Sequence, residues 1–315
     1  MPERVPTLTL VRGVRVGQVE TPDATSGVTA VLFDRPAPVV VDVRGGASAT
    51  YDTASLALDA TFGRRWAIFF SGGSLYGLDA ARGIRTRILE TGGGHRAFRN
   101  PNPVVPISGA ALFDLPTRRT GLPDYLPLGY EAARRASRAP VAMGSVGAGT
   151  GATVGKYRGR ARAMRGGLGS AEAAVPRLGR LGVLVVVNAV GAVRDPSTGA
   201  WVAGARDRRG RVVPPDAGRR LLARGTTLAL VVAELRVDRP TLARVGAVVH
   251  AGLSAAIRPF HSSTDGDVLF VASTERAGPP AESRPGEFAD RLGARAAELA
   301  VAAALRAVRR ANERA

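Results

Sequence analysis

Arg224-Gly225-Thr226-Thr227-Leu228-Ala229-Leu230-Val231-Val232 sets a glycine against a hydroxyl residue and follows it with an apolar, β-branched run. The pattern predicts a loop entering a buried strand. Chemically, Gly225-Thr226 also reads as a self-cleaving bond. Attack of the Thr226 hydroxyl on the preceding carbonyl gives an ester, and its hydrolysis leaves Thr226 at the head of a new chain. The freed α-amine has an ordinary pKa of roughly 8, so near neutral pH it can take the proton of its own hydroxyl. Glycine suits the preceding position because it tolerates the strained backbone such an attack demands. Gly-Thr before a strand also occurs in many ordinary proteins, so this reading depends on the partners the rest of the chain supplies.

Four such partners stand out. Of the 44 Lys+Arg residues only Lys156 is lysine, and it closes the glycine-rich run Gly144-Ser145-Val146-Gly147-Ala148-Gly149-Thr150-Gly151-Ala152-Thr153-Val154-Gly155. Arginine cannot serve as a compact ammonium that sheds its proton, and lysine can. Survival of one surface lysine by chance is the bland alternative. The run is no nucleotide loop, because the glycine spacing is wrong and Tyr157 stands where Ser/Thr would hold magnesium. The dinucleotide fingerprint fails too, so no cofactor is expected. Asn188 interrupts the apolar strand pattern Val183-Leu184-Val185-Val186-Val187. A buried amide must find hydrogen-bond partners or cost about 1–3 kcal/mol. It either bridges backbone groups or turns its NH₂ toward a developing oxyanion. Asp265 and Asp267 flank Gly266 at the entry to Val268-Leu269-Phe270-Val271-Ala272. An extended entry puts both carboxylates on one side, able to accept protons and orient an amine or hydroxyl. A hydrated turn is the alternative.

Composition narrows the classes. A chain of 315 residues with 45% hydrophobic residues can bury a large core. With 39 Gly and 21 Pro it suits a loop-rich α/β or α+β protein. The absence of cysteine excludes disulfides, thiol nucleophiles and Cys-ligated zinc. His95, His250 and His261 have no metal-ligand spacing, and His250 reads as structural, so no metal site is expected. Met1-Pro2-Glu3-Arg4 lacks a signal-peptide layout and no apolar run approaches bilayer length, so a soluble cytoplasmic protein is expected. The net charge of +18 raises a rival class, a non-catalytic polyanion- or RNA-binding protein. Only 5% of residues are aromatic and the arginines are scattered. The densest group, Arg206, Arg208, Arg209, Arg211, Arg219, Arg220 and Arg224, reads as a solvated, mobile loop, and no specific nucleic-acid partner is expected.

Elsewhere the patterns predict a short hairpin over residues 7–18 and strands at 27–33 and 39–43 joined by a turn at 34–38. They also predict a short helix over 51–60, a buried strand at 66–70 and a helix from Tyr76 to Leu89. Strand-like pieces follow at 104–107 and 110–113, then a helix near 129–138. Asp238-Arg239-Pro240 is a helix-start signal for a helix to about Ile257, and a last helix spans 286–313.

Taken in order, Val41-Asp42-Val43-Arg44-Gly45-Gly46, Ser71-Gly72-Gly73-Ser74 with Gly77-Leu78-Asp79-Ala80, Gly147-Ala148-Gly149-Thr150-Gly151-Ala152, Val185-Val186-Val187-Asn188-Ala189, Arg224-Gly225-Thr226 and Asp265-Gly266-Asp267 resemble one family. It is the aminopeptidase/D-esterase family of N-terminal-nucleophile hydrolases, which includes β-aminopeptidases and nylon-oligomer hydrolases. The resemblance runs nearly end to end. It implies a four-layer αββα sandwich of α/β (α+β) class and one catalytic domain, 1–315, autocleaved into 1–225 and 226–315. It further implies Thr226 as nucleophile, Asn188 on the oxyanion side, and Asp265 and Asp267 as the carboxylates around the threonine. Lys156 resembles the lysine that nylon-oligomer hydrolases carry after the Gly-Ala-Gly-Thr-Gly run. A homo-tetramer acting on small peptides or linear amide oligomers such as 6-aminohexanoate oligomers is the implied assembly and activity, with peptide-only specificity as the alternative. Two positions depart from the family pattern. The aminopeptidase branch tends toward a serine nucleophile with a Ser/Glu pair where this chain has Asp265 and Asp267. A tyrosine often used near the oxyanion is Phe113 here, and a phenyl ring cannot donate that hydrogen bond.

Overall fold

The computed structural model describes residues 5–96, 101–115, 121–176, 179–215, 223–278 and 285–313. Its main elements, in chain order, are β1 (Val14–Glu20), β2 (Gly27–Val43), β3 (Ala49–Tyr51), β4 (Arg64–Ser71), α1 (Ala80–Glu90), β5 (Ile107–Ala111) and α2 (Tyr125–Arg135). They continue with β6 (Gly167–Val175), β7 (Gly179–Asn188), β8 (Thr226–Leu235), α3 (Arg239–Ala256), β9 (Val268–Ala277) and α4 (Pro285–Asn312). The strands form one sheet in the order β3-β5-β4-β2-β9-β8-β7-β6, with β1 also laddered to β2. The pairs β4–β5 and β8–β9 are parallel and the rest antiparallel.

Strand β2 belongs to both halves of this sheet. Its first part pairs with β1 and β4, and residues 39–43 pair with β9. The ladder to β4 shifts between Leu32 and Ala37, and Pro36 lies inside that shift, where no N–H is asked of it. The expected pair of strands with a turn between them is therefore one long, irregular strand.

Side-chain alternation then builds four layers. Val28, Ala30, Leu32, Ala67 and Phe69 face α1 and α2, meeting Ile84, Ile88 and Ala132. Val31, Phe33, Val39, Ile68 and Phe70 face the other way, into a core shared with Leu184, Val186, Leu228, Leu230 and Phe270. Val183, Val185, Val187, Ala229 and Val231 turn to the far side and pack on α3 and α4 through Leu242, Val245, Val249, Leu299 and Ala303. The layers are thus helices, half-sheet, half-sheet, helices, as an αββα sandwich requires. All ten residues of β8 are buried, and each fully buried Val or Leu contributes about 1.5–3 kcal/mol.

Helix α3 begins where the sequence places it, with the Asp238 carboxylate accepting from the Thr241 N–H at 2.8 Å and Pro240 in the first turn. Two local expectations are corrected. Residues 8–10 form a single 3₁₀ turn and Val14–Glu20 pairs with β2, so there is no hairpin within 7–18. Residues 51–60 hold no α-helix: Tyr51 ends β3, Asp52 takes φ +48°, and only Ala54–Leu56 coils, as a 3₁₀ turn. The left-handed Asp52 interrupts any helix started there.

Part of the basic segment before β8 forms a short ladder. Ala205–Arg206 pairs with Val212–Val213, Arg211 is ion-paired to Asp207 at 3.0 Å, and Arg206, Arg208 and Arg209 are exposed. Arg219 and Arg220 lie outside the described residues. No helix among the described residues is long and apolar enough to cross a membrane.

Candidate active site

Thr226, the first residue of β8, lies directly opposite Asn188, the last of β7. Direct antiparallel partners share a face. Alternation assigns that face to Leu228, Leu230, Val186 and Leu184, so both side chains sit at the mouth of the core between the half-sheets. Both are buried.

Lys156 reaches Asn188 from the glycine-rich loop. Gly155 has φ +81°, and a Cβ on it would come within 2.0 Å of the Gly204 carbonyl carbon. The loop is laid on the end of β7 by Gly155 N–H donating to Gly191 O at 2.8 Å and Lys156 N–H donating to Val190 O at 3.0 Å. Lys156 Nζ then donates to Asn188 O at 2.6 Å, Asn188 Oδ1 at 2.8 Å and Thr153 O at 2.9 Å. Only 3% of the residue is exposed. Burial pulls its pKa down to about 7, opposed by the Asp265, Asp114 and Asp267 carboxylates and assisted by Arg160.

The same contacts orient the Asn188 amide. Its Oδ1 accepts from Lys156 and from Thr153 N–H at 3.0 Å, and its Nδ2 donates to Phe113 O at 3.2 Å. Oxygen faces donors and nitrogen faces a carbonyl, so the network assigns the two ends. Phe113 therefore enters the site through its backbone, while its ring lies 5.2 Å from the Arg224 guanidinium.

The loop 262–267 clamps the Gly225-Thr226 bond from the other side. Gly225 N–H donates to Thr264 O at 3.2 Å and Gly266 N–H donates to Gly225 O at 2.9 Å. Thr226 Oγ1 also donates to Gly225 O, at 2.5 Å. A Cβ on Gly225 would come within 2.3 Å of both Asp265 Oδ1 and Val190 N. Its φ lies outside the left-handed region. Glycine is needed here for room, and the backbone freedom expected from the sequence is not what the position uses.

The two carboxylates hold backbone on either side of the threonine. Asp265 accepts from Val190 N–H at 3.3 Å through Oδ1 and from the Ser262 hydroxyl at 2.6 Å through Oδ2. Burial raises its pKa and the charge of Asp267 adds to the rise, against the Ser262 hydroxyl and the Val190 and Ser262 amides. Asp267 Oδ1 accepts from Thr227 N–H at 2.6 Å, and Oδ2 accepts from His261 N–H and Nδ1, both at 2.9 Å.

The structure thus gathers Lys156, Asn188, Gly225, Thr226, Asp265 and Asp267 in one buried cluster. It adds groups that the sequence did not single out: the Gly266 amide, Ser262 and His261. Their stretch was legible, but the contacts depend on how residues 261–266 turn. Among the described residues no group of three or more His, Asp or Glu could hold a metal ion.

Similarity to known proteins places this geometry in a class. The β-aminopeptidase of Burkholderia sp. superposes with a TM-score of 0.66 at 19% identity, covering 98% of this chain and 87% of that one. The L-aminopeptidase D-Ala-esterase/amidase of Ochrobactrum anthropi, described as a variant of the Ntn hydrolase fold, gives 0.68 at 19% identity, covering 98% and 88%. The fold is that of an N-terminal-nucleophile hydrolase. An uncharacterized aminopeptidase of Mycobacterium tuberculosis is 34% identical over 332 aligned positions, covering 96% of this chain and 93% of the relative. A 6-aminohexanoate-oligomer endohydrolase of Agromyces sp. is 29% identical over 306 positions, covering 91% and 79%. The profile of peptidase family S58 matches residues 7–315, and the chain belongs to that family. It is a hydrolase of amide bonds.

Proposed function

We propose that the chain cuts itself between Gly225 and Thr226 and then uses Thr226 as the nucleophile of an amidase. The observation that carries this reading is the Gly225 carbonyl, which takes the Thr226 hydroxyl at 2.5 Å and the Gly266 amide at 2.9 Å in a buried clamp. In the first step Thr226 Oγ bonds to the Gly225 carbonyl carbon, and the Gly266 N–H supports the charge growing on its oxygen. The C–N bond breaks, the Thr226 nitrogen takes the proton, and water hydrolyses the ester. Chains 1–225 and 226–315 result, held together by the β7–β8 and β2–β9 ladders.

In turnover, the free Thr226 amine takes the proton from Oγ as Oγ attacks a substrate carbonyl. The departing amine receives that proton, and water hydrolyses the acyl-threonine ester. Asn188 Nδ2 has two protons, and the one not engaged by Phe113 O is assigned to the oxyanion. Lys156 locks the amide in that pose. Asp265 and Asp267 hold the strands around the nucleophile. Substrates are short linear amides, either small peptides with a free amino terminus or 6-aminohexanoate oligomers. The combination of Lys156, Thr226, Asp265 and Asp267 favours the oligomers, and a homo-tetramer is the proposed assembly.

The test compares wild type with Thr226→Ala, following chain cleavage and hydrolysis of β-alanyl amides beside aminohexanoate oligomers. Loss of both activities in the variant is expected. Turnover retained by purified Thr226→Ala removes the mechanism. Salt-sensitive polyanion binding by an uncleaved, inactive chain would favour the rival class instead.

A further inference from the structure

His261 is the one histidine whose ring nitrogen bonds a carboxylate of the cluster, among the described residues. Asp267 is 1% exposed and gives both of its oxygens to donors: Oδ1 to Thr227 N–H, and Oδ2 to the backbone N–H and Nδ1 of His261. An ionised carboxylate only accepts, so the His261 proton sits on Nδ1. Nε2 is buried without a partner among the described residues. The ring is fixed by stacking on Phe260, with centroids 3.8 Å apart, and by the edge contact with His250 at 4.8 Å. Burial pulls the pKa of His250 down to about 4, partly offset by Asp42, so the neighbour is neutral. His261 also holds φ +59°, a left-handed conformation uncommon outside glycine, though asparagine, aspartate and histidine adopt it more readily than other residues.

What this arrangement holds is the Thr226-Thr227 peptide. Cleavage at Gly225 removes the covalent tether on the amino side of Thr226. On its carboxyl side the Thr227 N–H bond to Asp267 then adds to the pairing of Thr226 with Asn188 in holding the new end. We propose that His261 is a positioning residue: by holding Asp267 from two directions it keeps the new amino terminus in register with Asn188 after the chain is cut. The proposal rests on the Thr226 reading and deepens it.

Full-length wild type, His261→Asn, His261→Gly and His261→Gln are compared for rate of conversion to two chains, thermal midpoint, and kcat and KM of the cleaved form. The substrate is whichever of a β-alanyl amide or an aminohexanoate oligomer the wild type hydrolyses. Asparagine tolerates the left-handed φ and carries an NH₂ where Nδ1 stood. Glycine accepts the φ and supplies no side-chain donor. Glutamine carries its amide farther out, toward the place of Nε2. Misplacement of the nucleophile is expected to lower kcat of the glycine and glutamine variants by about 10–100-fold with KM nearly unchanged. The asparagine variant is expected to stay within about threefold of wild type on the same argument. Wild-type kcat in the glycine or glutamine variant overturns the proposal. So does an asparagine variant as slow as they are at a wild-type melting temperature. A wild type that is neither cleaved nor active overturns the Thr226 reading and this proposal together, whereas a normal wild type beside a normal glycine variant overturns this one alone.

Discussion

Thr226 and Asn188 are direct cross-strand partners at the open end of the β7–β8 ladder. Their shared face explains how an asparagine in an apolar strand avoids being a fault in the core. It sits at the last position of β7, where the inter-sheet core ends, and the protein supplies donors for its oxygen and an acceptor for its nitrogen.

Asn188→Ala leaves Thr153 N–H and Phe113 O without this partner and strips Lys156 of one acceptor. A stability loss of about 1–3 kcal/mol is expected in urea titrations. Turnover should fall by about 10²–10³-fold if Nδ2 faces the oxyanion. An alanine variant that loses stability but keeps its turnover would confine Asn188 to a structural role.

Lys156→Met isolates the buried ammonium through its pH dependence. The folded pKa of about 7 lies below the ordinary 10.5. Between those values the unfolded chain binds a proton that the folded chain does not, so this group makes stability rise with pH. Below about pH 7 both states are protonated and the whole burial penalty applies. Methionine has no such titration. Wild type should therefore gain stability relative to Lys156→Met from about pH 7 toward pH 10.5, measured as the difference in unfolding free energy at the two ends. A difference that stays flat contradicts a depressed lysine.

Gly225→Ala introduces a Cβ that meets Asp265 Oδ1 and Val190 N at 2.3 Å. Alanine has no chemical reason to resist the acyl shift, so slowing would come from the displaced clamp. Conversion to two chains should slow at least about tenfold, equivalent to ~1.4 kcal/mol on the barrier, as followed by denaturing gel over time.

Thr227→Val tests which threonine acts. The Thr227 hydroxyl is buried without a hydrogen-bond partner among the described residues, and its place in the ladder turns it toward the helices with Val187 and Ala229. Cleavage in this variant should still occur before residue 226, at a rate near wild type. A variant that stays intact would move the nucleophile to residue 227.

Much of this was legible in the sequence, for reasons that differ by residue. The run after Gly225 announced β8 because burial on both faces demands uninterrupted apolar side chains. Asp238 and Pro240 announced α3 because capping is local chemistry. Asn188 and Lys156 stood out as exceptions to their surroundings. The bent course of β2 was hidden, since Asp34-Arg35-Pro36 reads as a turn unless the shifting register of β4 is known. Helical spacing over 51–60 misled for a similar reason: pairing of Ala49–Tyr51 with β5 outweighed it. The link from His261 to Asp267 is a tertiary contact made by a left-handed residue, and no spacing rule points to it. At 225 the sequence suggests glycine for its backbone freedom, whereas the structure leaves no room there for a Cβ beside Asp265 and Val190.

Intact-mass measurement with N-terminal sequencing of freshly purified, active protein bears most directly on whether Thr226 becomes a chain terminus. The expected result is two polypeptides, one ending at Gly225 and the other beginning Thr-Thr-Leu-Ala, with Thr226→Ala remaining a single inactive chain. A fully active preparation made only of unbroken 315-residue chains would contradict it.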